Sequence, residues 1–257
     1  MTESPDLSDL DDATLAATLA EQAGRILLAM RDDVDTTGKA LGDAGDMTAN
    51  RYLCQALSAH RPDDGLLSEE RKDTPERLGK SRVWIVDPVD GTREYGERRS
   101  DWAVHVALSI DGNPALGAVA LPEAGLVLRS DSPIPLSAPP ETPRIVVSRT
   151  RPVPEVPFVA ERMGAQIVPM GSAGAKAMAV VRGDAEIYLH SGGQYEWDSC
   201  APVAVAMAHG LHCSRIDGSP LVYNRTDTFM PDLLICQPRW ADTVLELVAR
   251  MNADRAS

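Results

Sequence analysis

The chain has 257 residues, of which 44% are hydrophobic and 25% are charged, and its formal net charge is −13 at pH 7. This length is sufficient for one extended hydrophobic core or two adjoining cores. No apolar run approaches the roughly 20 residues of a membrane span, the acidic segment Met1 to Asp12 does not resemble a signal peptide, and the negative field disfavours a nucleic-acid polymer as partner. We therefore expect a cytoplasmic protein without a membrane span.

The first part of the chain is predicted to contain a helical pair followed by strands. Apolar residues recur at helical spacing from Leu10 to Met30, and Tyr52–Leu57 continues a second helix. The glycine-rich segment Gly38–Gly45 between them is predicted to be a mobile loop. Predicted strands lie at 84–86, 103–109, 115–121 and 125–128, the last three as an antiparallel meander.

A proline-rich stretch from Ser132 to Pro143 separates this part from one in which strands and helices alternate. It predicts two subdomains, an α+β unit over 1–137 and an α/β unit over 138–257. The second unit has predicted strands at 144–148, 166–168, 185–189, 211–214 and 233–236, and predicted helices at 153–163, 172–182, 198–209 and 240–251. The whole is predicted to be an α/β (α+β) protein with α-β-α-β-α layers.

The most informative segment is 84–92, in which an apolar run leads into two aspartates. Asp87 and Asp90 are three residues apart, and Pro88 fixes one backbone torsion between them. Both carboxylates and the Val89 carbonyl can therefore converge on divalent cations, and ligands that are all oxygen favour Mg²⁺ or Mn²⁺.

A Gly-Thr turn follows these aspartates. Gly91 lets the backbone approach a ligand closely, and a helix that begins near Thr92 would direct free N–H groups at an anion such as phosphate. A bare Asp-Gly-Thr tripeptide is more often an exposed turn with a helix cap. Other segments must therefore decide between a turn and a metal and phosphate site.

Three other segments carry residues that could contribute to a metal and phosphate site, and each also has an ordinary structural explanation when taken alone. Glu69 belongs to a pair of glutamates that could be a solvated charge run. Asp198 lies in the first turn of an apolar helix, where acidic residues are common. The small-residue turn Gly171–Lys176 could hold a ligand near its backbone or could simply allow helix packing.

Taken together and in this order, the segments resemble the inositol monophosphatase superfamily of Mg²⁺-dependent, lithium-sensitive phosphatases, over roughly residues 39–212. The resemblance implies the layered fold, a homodimer, and two or three Mg²⁺ ions. It also implies catalytic roles for Thr92 and Glu69, which would position the nucleophilic water. The implied metal ligands are Glu69, Asp87, the Val89 carbonyl, Asp90 and Asp198.

The residues beside the signature resemble the CysQ-type 3′(2′),5′-bisphosphate nucleotidases within this superfamily. Inositol phosphatases usually have Thr-Asn-Phe after Asp-Gly-Thr and CysQ proteins have Lys-Glu-Phe, whereas this chain has Arg93-Glu94-Tyr95. Segments 146–149, 171–176 and 197–202 also resemble the nucleotidases. The resemblance implies hydrolysis of the 3′-phosphate of 3′-phosphoadenosine 5′-phosphate (PAP) to AMP, linked to sulfate assimilation, with the sulfated nucleotide PAPS as a further candidate substrate.

Two alternatives remain open, a broad inositol or fructose-1,6-bisphosphate phosphatase and a weakly active nucleotide-binding regulator. Because the net charge repels a bisphosphorylated nucleotide, local cations must bind it. Arg149 and Lys176 are favoured for this, whereas Arg98, Arg99 and Arg151 are interpreted as surface cations. The candidate substrate residues are Gly91, Thr92, Arg93, Ser148, Arg149, Gly171, Lys176 and Asp198.

One segment departs from the superfamily pattern. Related enzymes carry V-T-x-x-D before the second helix, and its aspartate is thought to help activate water or bind a metal. In this chain that position falls on Asn50 or Arg51. Either Asp43 or Asp46 replaces the missing carboxylate, or Glu69 and Thr92 suffice without it.

Overall fold

In the computed structural model, residues 7–151 and 153–256 are described, and they form two five-stranded sheets, one two-stranded ribbon and surrounding helices. The helices are α1 (Asp12–Asp33), α2 (Lys39–His60), α3 (Thr92–Gly96), α4 (Glu155–Met163), α5 (Ala173–Arg182), α6 (Glu196–Ala208) and α7 (Pro238–Ala256). The strands are β1 (Gly65–Ser68), β2 (Arg82–Asp90), β3 (Ala103–Ile110), β4 (Asn113–Leu121), β5 (Leu126–Arg129), β6 (Arg144–Ser148), β7 (Gln166–Met170), β8 (Ile187–His190), β9 (Gln194–Tyr195), β10 (His212–Ser214), β11 (Phe229–Met230) and β12 (Leu233–Cys236).

The first sheet has the order β1-β2-β3-β4-β5, with β1 parallel to β2 and the other neighbours antiparallel. Strand β2 is apolar on both faces because both are covered by helices. Its Trp84 and Val86 pack in one core with Leu19 and Leu53 of α1 and α2. Its Ile85, by contrast, packs in a second core that contains α5 and α6.

The second sheet has the order β10-β12-β8-β6-β7, and β6 runs parallel to β7 and β8. One face packs on α5 and α6, where Met178 and Val203 share a core with Ile235. The other face packs on α4 and α7 through a third core, which includes Val159 and Val244. The layers therefore follow the order α1/α2, first sheet, α5/α6, second sheet, α4/α7, which confirms the predicted layered fold.

The connection from β5 to β6 contains the stretch Ser132–Pro143 and has no helix or strand. It passes from the first sheet to the second, as predicted for a crossover. Helices α5 and α6 pack against both sheets. The division at residues 137 and 138 stays a prediction.

The predicted mobile loop Gly38–Gly45 is wrong, because α2 begins at Lys39 and includes Gly42 and Gly45. These glycines serve close packing rather than flexibility. A Cβ on Gly42 would lie 2.8 Å from Thr92 Cγ2, and a Cβ on Gly45 would lie 2.5 Å from Tyr95 Cε1. The absence of side chains lets α2 lie directly against the start of α3.

We expect Gly45→Ala to lower the free energy of unfolding by about 1–3 kcal/mol. The new methyl group would overlap the ring of Tyr95, which is fully buried and fixed by a 2.9 Å hydrogen bond from its hydroxyl to the Leu27 carbonyl. Chemical denaturation would measure the change. Gly79→Ala is the matched control, because nothing lies within 4 Å of its Cβ position. Equal effects of the two substitutions would contradict this packing role.

Candidate active site

The end of β2 carries the two signature aspartates into the interior. Asp87 pairs with His105 of β3 while Asp90 pairs with Ala103, so β2 has one extra residue in this interval. Such a bulge fits Pro88, which cannot donate to a strand ladder. The amide of Val89 donates instead to Asp87 Oδ1 at 3.1 Å. The irregularity lets both carboxylates approach the same space.

Three carboxylates converge there. Asp87, Asp90 and Asp198 each offer an oxygen, and these atoms lie within 4.8 Å of one another. Glu69 follows the end of β1, which is parallel to β2, so it reaches the same cavity of about 230 Å³. Val89 also lines this cavity. The structure therefore brings together all five residues that were predicted to bind metal.

Asp198 reaches the cavity because of its place in α6. It lies in the first turn, where its Oδ2 accepts a 2.6 Å hydrogen bond from the amide of Tyr195. A carboxylate that caps a helix in this way is held in one orientation. The residue therefore serves the helix and the site together.

The carboxylates repel one another in a setting poor in water. Burial and the nearby Asp198 and Asp46 carboxylates raise the pKa of Glu69 to about 8. Burial and the neighbouring Glu69 and Asp90 charges raise the pKa of Asp87 well above its usual range. Burial and Asp90 raise the pKa of Asp198 to about 6. An oxygen-rich, negatively charged site of this kind fits a hard divalent cation, which would offset the repulsion.

Asp90 differs from the other three carboxylates because groups of the protein itself compensate its negative charge. Its oxygens accept from the amides of Ala173, at 3.0 Å, and Gly174, at 2.5 Å, at the start of α5. His105 Nε2 lies 3.2 Å from Asp90 Oδ2. Burial acts to raise the pKa of Asp90, but His105, the Lys176 charge and the Ala173 amide outweigh it and lower the pKa to about 2.

Sequence reasoning missed His105. It is fully buried, and its Nδ1 lies 3.0 Å from the Trp197 carbonyl at the start of α6. A carbonyl can only accept, so Nδ1 carries a proton and Nε2 faces the Asp90 carboxylate. Burial acts to lower the pKa of His105, but Asp90 raises it above the usual value. The signal in the sequence was a titratable residue inside the apolar run 103–108.

The predicted phosphate-binding turn at Thr92 is short. Gly91 adopts φ +90° and α3 then spans only Thr92–Gly96, so it is little more than one turn. The Thr92 hydroxyl donates to the Val89 carbonyl at 3.2 Å. Gly91, Thr92, Arg93, Ser148 and Gly171 all line the cavity.

Lys176 is buried beside the carboxylates. Its ammonium donates to the Gly171 carbonyl at 2.6 Å and also to that of Ser172. It lies 5.3 Å from the centre of the Tyr188 ring. Burial lowers its pKa to about 8, against the attraction of Asp90. Lys176 therefore closes the turn before α5 and adds positive charge to the cavity wall.

The arginines are arranged differently from the sequence expectation. Arg149 pairs with Glu94 and Glu97, both at 2.7 Å, and is absent from the described residues that line the cavity. Arg93 and Arg151 do line it. Arg151 had been interpreted as a surface cation. The sequence could not assign these roles, because Glu97 and Arg149 meet only in the folded chain.

A carboxylate does lie beside Thr92 despite the departure from the superfamily pattern. It is Asp46, which is buried on α2. Burial raises its pKa to about 7, and the nearby Thr92 hydroxyl opposes that shift. Asp43 instead pairs with Lys39 at 2.7 Å on the surface. Asn50 accepts from Ser68 Oγ at 2.8 Å.

Comparisons with known proteins agree with this geometry. The inositol monophosphatase family matches residues 10–252. A Mycobacterium leprae protein named 3′-phosphoadenosine 5′-phosphate phosphatase is 46% identical over 256 residues, which cover 94% of this chain and 94% of that protein. A Mycobacterium tuberculosis protein of the same name is 49% identical over 238 residues, covering 88% and 89%. The chain belongs to the inositol monophosphatase family, as its motifs predicted.

A solved structure shares the fold. CysQ from Bacteroides thetaiotaomicron, described as a bacterial member of the same family, has a TM-score of 0.74 and 24% identity, covering 90% of this chain and 99% of that one. Within the described residues of our protein, no helix combines the length and apolar character that crossing a membrane requires.

We expect Mg²⁺ to raise the melting temperature more at about pH 8.5 than at about pH 6. The raised pKa values of Glu69 and Asp198 mean that, without metal, these groups stabilise the fold while protonated. This contribution to the free energy of unfolding is lost as the pH rises from the pKa values of these groups in the unfolded chain, about 4, through their pKa values in the folded protein. Metal competes with fewer protons at high pH.

Thermal melts with and without Mg²⁺ at both pH values would test this coupling. The metal-free protein should melt at a lower temperature at the higher pH. Asp87→Asn should reduce the Mg²⁺-dependent shift at both. A larger shift at the lower pH would contradict the assignment of these carboxyls as metal ligands.

Proposed function

We propose that this protein is a Mg²⁺-dependent 3′(2′),5′-bisphosphate nucleotidase that hydrolyses the 3′-phosphate of PAP to AMP. The observation that carries the proposal is the cavity in which the buried carboxylates meet Thr92 and two arginines, Arg93 and Arg151. The names of the two mycobacterial relatives favour the substrate. A role in sulfate assimilation, a cytoplasmic location and a homodimer belong to the same proposal.

The metal site is the first component of this mechanism. Two or three Mg²⁺ ions, held by Glu69, Asp87, the Val89 carbonyl, Asp90 and Asp198, would neutralise phosphate charge and acidify water. The donors are all oxygen, which suits this ion. Lys176 and His105, when protonated, offset part of the carboxylate charge without replacing a cation.

Glu69 and Thr92 position the attacking water. Glu69 accepts a proton from the water, the water oxygen attacks phosphorus in line, and the bond from phosphorus to the ribose 3′ oxygen breaks, after which that oxygen takes up a proton from solvent water. Burial and the neighbouring carboxylates raise the pKa of Glu69 to about 8 without metal, and bound Mg²⁺ would lower it, which keeps the carboxylate ionised and able to accept a proton near neutral pH. Thr92 is held by the Val89 carbonyl on one side and lies beside Asp46 on the other.

Asp46 takes the place of the aspartate that the V-T-x-x-D pattern would have supplied. It reaches Thr92 from α2 because Gly42, one turn earlier, lets that helix lie against Thr92. Its role is to orient the Thr92 hydroxyl rather than to contact the phosphate. This assignment chooses Asp46 over Asp43, which points to Lys39.

The phosphates of the substrate meet cations from both sides of the cavity. Arg93 comes from α3 and Arg151 from the loop after β6, and both side chains are exposed and line the cavity. Arginine binds phosphate through two parallel hydrogen bonds. Ser148, Gly171 and Lys176 complete the proposed substrate wall. Arg149 serves mainly to join β6 to α3 through its two glutamates.

A broad inositol or sugar phosphatase is the second candidate, because the family match includes inositol monophosphatases. PAP should be hydrolysed with a kcat/KM at least about 100-fold above that for inositol 1-phosphate or fructose 1,6-bisphosphate, since only the nucleotide carries a base that can make contacts remote from the reacting phosphate. Phosphate release in Mg²⁺ would measure all three. Lithium should inhibit the PAP reaction.

Comparable values for the three substrates would refute the nucleotide specificity and favour the broad phosphatase. The absence of turnover on all of them, in a protein that still melts cooperatively, would favour a nucleotide-binding regulator. PAPS, assayed beside PAP, would show whether the sulfated nucleotide is also a substrate.

Asp46→Asn should lower kcat for PAP by roughly 10- to 100-fold with little change in KM, because the substitution disturbs water positioning and not phosphate binding. Steady-state kinetics with saturating Mg²⁺ would measure both constants. Asp43→Asn is the matched control and should leave them unchanged. An unchanged kcat in the folded Asp46 variant would contradict this role and would mean that Glu69 and Thr92 position the attacking water without Asp46.

A further inference from the structure

One wall of the cavity carries polar atoms that the proposed chemistry does not use. Gln194 and His190 line the cavity and are each only 4% exposed. Among the described residues, neither the oxygen nor the nitrogen of the Gln194 amide has a hydrogen-bond partner, and the same holds for His190 Nδ1. Buried polar side chains of this kind are normally paired, which points to a ligand that supplies the partners.

The hydrogen-bonding character of His190 follows from its surroundings. Its Nε2 lies 3.1 Å from the Gly193 carbonyl, which can only accept, so Nε2 carries the proton. Burial lowers the pKa of His190, and the nearby Lys176 and Arg151 charges lower it further. The ring is therefore neutral at physiological pH, and Nδ1 presents a lone pair to the cavity.

This wall is built rigidly. Gln194 lies in β9, which pairs with Met230 of β11. The Gly193 carbonyl next to it also accepts from Arg151 Nη1 at 3.3 Å, so one carbonyl fixes His190 and Arg151 together. The backbone of Gly193 has φ +76°, and a Cβ there would lie 2.7 Å from the Phe229 ring. The backbone at Gln194 and the ring of His190 are therefore held in place.

The pattern of donors and acceptors selects the occupant. The wall offers two acceptors, His190 Nδ1 and Gln194 Oε1, and one donor, Gln194 Nε2. A phosphate presents acceptors and would meet two lone pairs, and a sugar hydroxyl supplies only one proton. An aromatic amino group beside a ring nitrogen supplies two protons and one acceptor, which is the edge of adenine that a glutamine amide pairs with in two hydrogen bonds.

We propose that Gln194 and His190 form a base-reading subsite that receives the 6-amino group of the substrate's adenine. The inference rests on the proposed nucleotidase function and adds the residues that recognise the base. One amino hydrogen would be donated to Gln194 Oε1 and the other to His190 Nδ1, while a ring nitrogen would accept from Gln194 Nε2. The subsite adjoins the site of the reacting phosphate, because Gln194 and His190 line the same cavity as Asp198.

The test compares PAP with inosine 3′,5′-bisphosphate, which has an oxygen in place of the 6-amino group. The unsubstituted enzyme should prefer PAP by at least roughly 10-fold in kcat/KM, since the oxygen would face two acceptors. Gln194→Met, which keeps the side-chain length, should raise KM for PAP and lower kcat/KM by roughly 10- to 100-fold. The value for the inosine compound should change by less than about threefold, so the preference disappears.

Two further variants make the comparison decisive. His190→Phe keeps a ring of similar size and should reduce the same preference. Gln166→Met, at an exposed position of β7 outside the cavity, should leave both substrates unaffected. If the Gln194 variant fails to melt cooperatively, the His190 variant and the preference of the unsubstituted enzyme for PAP over the inosine compound still test the subsite.

The outcomes separate the subsite from the activity. PAP turnover without any preference over the inosine compound would overturn the subsite and leave the nucleotidase intact. An equal loss on both substrates in the Gln194 and His190 variants would also overturn it, because such residues would only shape the cavity. No PAP turnover in the unsubstituted enzyme, together with turnover of inositol 1-phosphate, would overturn the nucleotidase proposal and the subsite with it.

Discussion

The structure depends on the hydrogen bonds and charge that surround a single buried carboxylate, Asp90. This side chain stands at the end of the first sheet, yet its partners are the first amides of α5 and the ring of His105. An ionised carboxylate away from water is tolerated only when such partners are in place. The end of β2 and the start of α5 are therefore located relative to each other. His105 extends the constraint to α6 through the Trp197 carbonyl.

Two kinds of carboxylate consequently share one cavity. Asp90 is ionised by its protein environment, whereas burial and mutual repulsion favour protons on Glu69, Asp87 and Asp198. Backbone amides hold the carboxylates of Asp87, Asp90 and Asp198 in place. The fold thus keeps buried carboxylates close together although they repel one another, a pattern typical of functional centres.

The sequence predicted much of this arrangement because the signature residues are contiguous. Asp87 to Thr92 lie on one strand end and one turn, and local geometry alone brings them together. Glu69 and Asp198 needed the family resemblance, since nothing local places them at the same point. His105 and Arg151 acquire their places only through contacts between elements far apart in the chain. The glycines at 42 and 45 were mistaken for a loop because propensity does not register the approach of a neighbouring helix.

The helices between the two sheets have a consequence for the order in which the chain can fold. The first sheet is complete at Arg129, but α5 and α6, which cover Ile85 and Val119, are encoded from residue 173 onward. During synthesis from the N-terminus, this apolar sheet face therefore waits for at least 40 further residues before its natural cover emerges. The nascent chain exposes an apolar sheet face during that interval, so this is the stage at which binding by a chaperone would protect it most from aggregation.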